Sequence, residues 1–166
     1  MTAVAETGEN RATVSEVTLP DDLRSLATLD RIDYFDSYLL AGVPERTAER
    51  WARAMLEDAP APTRAQLVVG WTAIGLDLTL PTSARGVLGW RIAYRTRETL
   101  VLSAGSRLGL AGNLVYAVRP EGLHFATFTQ QTNRVARAAW ERIVPQHQGI
   151  VRSLLRKAGD REIGAA

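Results

Sequence analysis

Residues 133–158, NRVARAAWERIVPQHQGIVRSLLRKA, form the longest periodic stretch of the chain, and a packing partner must exist for them. Ala136, Trp140, Ile143, Ile150 and Leu154 recur at helical spacing, flanked by Ala139, Val144, Val151 and Leu155. A helix of that length runs about 39 Å, against about 33 Å for a ten-residue strand, so it can cover a whole sheet. Two residues interrupt the pattern. Pro145 removes an intrahelical amide and crowds the carbonyl of Glu141, which predicts a bend, and His147 places a titratable ring on the apolar stripe.

Upstream, IDYFDSYLL (32–40) is aromatic, branched and short enough for a strand, and Gly42-Val43-Pro44 ends it. Thr47 is a candidate N-cap for a helix whose Ala48, Trp51, Ala52, Met55 and Leu56 share one face. The prolines at 60 and 62 stop that helix. Thr63 then offers a second N-cap, before a short helix through Leu67, Val68, Trp71 and Ile74 that Gly75 closes. From Val87 four strand-like runs follow, with turns at 96–98, Gly109 and Pro120-Glu121-Gly122. In the first, VLGWRIAYR, alternation puts Leu88, Trp90, Ile92 and Tyr94 on one face. The order predicts an α+β domain over residues 20–160. A curved antiparallel sheet grips the long C-terminal helix, two short helices follow the first strand, and that strand joins at an edge. Residues 1–19 are expected to form a disordered tail, and 161–166 a frayed end.

The chain has 166 residues, enough for one core without staples, and no cysteine, which excludes a disulfide framework and thiolate metal sites. With only two histidines, His124 and His147, no metal is expected, and no cofactor is indicated. Nineteen arginines and one lysine leave a net charge of +2, too little to imply nucleic acid. No apolar run reaches the roughly 18 residues of a membrane span, and the first nineteen residues lack the pattern of a secretory signal. A cytoplasmic location is the simplest expectation, with a homodimer left open.

The order of strand, two short helices, curved meander and long final helix resembles the helix-grip fold of the START-like (SRPBCC) superfamily, over residues 30–158. The last third resembles a bacterial branch of domains of unknown function: a Thr-rich strand end (Thr127, Thr129, Thr132), then Asn133, Trp140, Pro145 and His147. That resemblance implies an internal cavity between sheet and helix and names no substrate.

Within such a cavity Trp71, Trp90, Tyr94, Tyr116 and Trp140 are expected to face inward, giving apolar walls with a few polar anchors. His147 is either a core histidine bonded to a backbone carbonyl or hydroxyl, or a ligand contact and the one proton-transfer candidate. The expected function is binding of a small, mainly apolar molecule by Trp71, Trp90, Tyr94, Tyr116, Trp140 and His147. The alternatives are a cyclase- or dehydratase-type enzyme in the same cavity, and an interaction protein with a filled core and a basic outer helix face. GLAGN and GVLG lack the Lys-Ser/Thr of a phosphate loop, and the serines lack a nucleophile-elbow setting.

Overall fold

A computed structural model describes residues 11–166. In chain order the elements are β1 (Thr13–Glu16), α1 (Asp21–Arg24), β2 (Tyr34–Ala41), α2 (Ala48–Leu56), α3 (Ala61–Ala73) and β3 (Leu76–Asp77). They continue as β4 (Gly86–Val87), β5 (Trp90–Arg95), β6 (Thr99–Ser106), β7 (Leu110–Arg119), β8 (Gly122–Gln131) and α4 (Arg134–Gly164). The strands form one curved antiparallel sheet ordered β1-β2-β8-β7-β6-β5-β4, with β3 paired to β6. The expected α+β architecture is present, and it is compatible with a helix grip.

Strand alternation divides the sheet into two faces. Tyr38, Leu40, Leu100, Leu102, Leu114, Tyr116, Leu123 and Phe125 point to the concave side, where α2 and α4 bury them. On the convex side Val101, Val115, Ala126 and Phe128 make a smaller cluster, covered by Leu19, Leu23 and neighbours in the β1–β2 connection. Asn113, fully buried there, is matched by that connection: Thr28 N–H donates to its Oδ1 (2.9 Å) and its Nδ2 donates to Thr28 Oγ1 (2.8 Å).

Local signals explain the helix starts. Thr47 Oγ1 accepts from Arg50 N (3.1 Å), and Asn133 Oδ1 accepts from Ala136 N (2.8 Å), each using a first-turn amide that has no intrahelical partner. Thr63 does not cap α3, which begins two residues earlier behind Pro60. The prolines that end α2 also open α3, because their fixed φ and missing N–H suit a first turn.

Four expectations need correction. Residues 1–10 of the expected tail lie outside the described residues, but Thr13–Glu16 is a strand paired to β2, so β1, not β2, is the edge. The free backbone of β2 draws it in, and Gly159 lets α4 approach, since a Cβ there would lie 2.5 Å from Ala12 Cβ. The run VLGWRIAYR is two strands, not one: Leu88 and Gly89, with φ of 45° and 90°, make a two-residue hairpin turn between β4 and β5. A bulge between Ile92 and Tyr94 then breaks the alternation and turns Tyr94 outward, 48% exposed. The C-terminus is not frayed from 161, because α4 continues to Gly164 and runs unbroken through Pro145.

The last turns of α4 are held by a buried ion cluster. Glu162, with its side chain 5% exposed, accepts from Arg46 Nε (2.8 Å) and from Arg50 Nη2, while Arg161 donates to the carbonyl of Ala54. Burial alone pushes the Glu162 carboxyl up, but the two arginines outweigh it and hold the group below the ordinary glutamate value. A carboxylate depressed in the folded state stabilises the fold above its unfolded pKa, and that stabilisation is lost as pH falls through the folded value. Glu162→Gln is therefore expected to cost about 1–2 kcal/mol at pH 7. In urea denaturation the gap from wild type should narrow once the pH drops below about 4.3. A gap independent of pH would assign the loss to packing.

Candidate functional site

The two halves of α4 meet the sheet differently. Val151, Leu154, Leu155 and Ala158, in the second half, are buried in the core that α2 closes. In the first half Trp140, Ile143, Gln146, His147 and Ile150 line one wall of a cleft of about 590 Å3. The opposite wall is α3, through Leu67, Gly70, Trp71 and Ile74, and the floor is sheet, through Trp90, Leu110, Leu114, Thr127 and Thr129. That size suits a small organic molecule.

Of the expected site residues, Trp71, Trp90, Trp140 and His147 come together here. Trp71 stands edge-on to Trp90 with ring centroids 5.5 Å apart, and Trp140 lies 5.1 Å from the His147 ring. Tyr94 and Tyr116 do not join them. Tyr94 is turned out by the β5 bulge, and Tyr116 is fully buried where α2 covers β7, its hydroxyl donating to Met55 Sδ (3.4 Å). Burial raises the Tyr116 phenol pKa, consistent with a core role rather than a cleft wall. His124, the other histidine, pairs with Glu121 (2.8 Å).

His147 is bonded to a carboxylate, not to a backbone carbonyl. Its Nε2 lies 2.9 Å from Oδ2 of Asp36, a residue only 5% exposed on the concave face of β2. Tyr34 O–H donates to the same oxygen (2.9 Å), Gln148 Nε2 donates to Tyr34 Oη (3.1 Å), and the Thr127 amide donates to Asp36 Oδ1 (3.1 Å). Three donors thus converge on one carboxyl group, as a buried charge requires. Burial, and secondarily the Asp36 charge, push the Tyr34 hydroxyl well above the ordinary tyrosine range, so it stays protonated as a donor. Burial and Asp36 also raise Tyr38.

Asp36, Tyr34, Gln148 and the inward role of Thr127 were missed from sequence reasoning. A signal existed for Asp36. In YFDSYLL, positions 34, 36, 38 and 40 share a face, so an aspartate between Tyr34 and Tyr38 is a charge on the buried side of a strand.

Three polar atoms of the cleft residues are buried without a protein partner: Trp90 Nε1, Trp140 Nε1 and Thr127 Oγ1. An unpartnered buried hydroxyl costs stability, so isosteric Thr127→Val should be neutral or stabilising by about 1 kcal/mol. A urea midpoint lowered by the substitution would show that Thr127 Oγ1 is satisfied within the protein.

Among the described residues no cluster of His, Cys, Asp or Glu could hold a metal ion, and no helix is long and apolar enough to cross a membrane. No family model, no curated protein and no solved structure matches the chain.

Proposed function

We propose that the chain is a START-like helix-grip protein whose cleft binds a small, neutral, mainly apolar molecule carrying hydrogen-bond acceptors. The observation that carries this reading is the composition of the cleft wall. Apolar and aromatic side chains dominate it, two indole N–H groups and a threonine hydroxyl stand buried and unpartnered, and no Arg, Lys, Asp or Glu lines it. The donors match carbonyl or ether oxygens of a ligand. A phosphate or carboxylate would lose its hydration and find no opposite charge on the wall, which is costly in a partly apolar cleft.

The exposed arginines of α4 support no competing site. Arg152 pairs with Glu16 (3.0 Å) and stacks over Tyr38, and no aromatic residue alternates with Arg134, Arg137 and Arg142 for base stacking. A cleft of about 590 Å3 beneath the first half of α4 supports the binding reading over an interaction protein with a filled core.

Titration with the neutral dye N-phenyl-1-naphthylamine should show one saturable site by fluorescence. Trp140→Ala is expected to weaken it at least about tenfold, through lost aromatic contact area. Gly70→Leu should block it while leaving the melting temperature at or above wild type, because a Cβ at Gly70 meets nothing within 4 Å and a helix interior prefers Leu. Equal affinity for 1-naphthyl phosphate would contradict a neutral ligand, and undiminished dye binding by both variants would place the site elsewhere.

A further inference from the structure

The carboxylate of Asp36 only accepts hydrogen bonds, so the His147 nitrogen that faces it, Nε2, must carry a proton. In the neutral ring Nδ1 then holds a lone pair. That nitrogen makes no hydrogen bond among the described residues, and the ring it belongs to lines the cleft. A base is therefore presented to the cleft, with its tautomer set by a buried carboxylate that is itself fixed by Tyr34 and the Thr127 amide. Two unpartnered donors, Trp140 Nε1 and Thr127 Oγ1, belong to the same wall and floor. A lone-pair base beside unpaired N–H and O–H groups is what enolisation needs: one group removes a proton while others receive the charge on oxygen.

From this we infer that the cleft catalyses proton transfer at carbon, its substrate class being a neutral cyclic ketone or enone with an α C–H; the inference rests on the proposed binding of a neutral molecule. His147 Nδ1 takes the α proton. The C–H pair becomes a C=C bond, and the carbonyl π pair moves to oxygen, which Trp140 N–H or Thr127 O–H stabilises. The imidazolium, held against Asp36, returns the proton to the same carbon or to a conjugated one, giving exchange or isomerisation. No oxidant or reductant is consumed. Asp36 does not touch the substrate and is a positioning residue.

The test uses 2-tetralone in D2O, with deuterium incorporation followed by proton NMR and binding by quenching of tryptophan fluorescence. Wild type should accelerate exchange over buffer. His147→Gln should lower that acceleration about 100-fold or more with binding retained. Asp36→Asn should lower it by less, and should convert the His147 15N signals from a single Nε2–H tautomer to a mixture, which loss of packing alone does not do. If 2-tetralone binds but wild type does not accelerate exchange, or if exchange survives His147→Gln, proton transfer is overturned and the binding reading stands. If the dye binds and 2-tetralone does not, the ketone class is wrong. If neither binds, the binding reading falls and this inference falls with it.

Discussion

The long C-terminal helix buries its apolar stripe against a sheet that it outruns, and the rest of the molecule follows from how that mismatch is settled. Thirty-one helical residues at 1.5 Å each extend about 46 Å, more than any strand here spans. Over the second half, α2 fills the gap: Trp51, Met55 and Leu56 are almost fully buried with Leu154, Leu155 and Ala158, and the arginines around Glu162 tie the two helices at the end. Over the first half no such helix intervenes. There α3 stands across the cleft with only Leu67 buried, so Trp140 and His147, packed against each other and against Tyr34, form one wall of an open cleft.

The polar network around Asp36 is the second constraint. A buried carboxylate left unpaired is costly, and this one joins three elements because its partners come from β2, β8 and α4. It fixes the rotation of α4 about its own axis more tightly than apolar contacts do, since a hydrogen bond at 2.9 Å tolerates little sliding. The same bond sets which nitrogen of His147 is bare. One contact therefore both holds α4 against the sheet and orients the His147 ring in the cleft wall.

Much of this was legible in the residues. The helical periods of α2 and α4, the cap Thr47, and the turns at Gly109 and Gly122 all depend on neighbours within a few positions, and each appears as expected. Trp71, Trp90, Trp140 and His147 meet because each lies on the inner face of its own element. Tyr94 and Tyr116 failed for distinct reasons. A single-residue bulge reversed the face of the first, and the second lies on the inner face but under α2, whose position along the strands no local pattern encodes.

Sequence by itself determined the longer elements β2, α2, α3, β6, β7, β8 and α4 and their order, because periodicity, capping and turn chemistry act over short separations. Tertiary structure alone decided that His147 meets Asp36, 111 positions away, and that indole and hydroxyl groups stay unpaired beside them. Such contacts depend on strand register and helix placement, which are set by the packing of the whole core, so no local rule anticipates them.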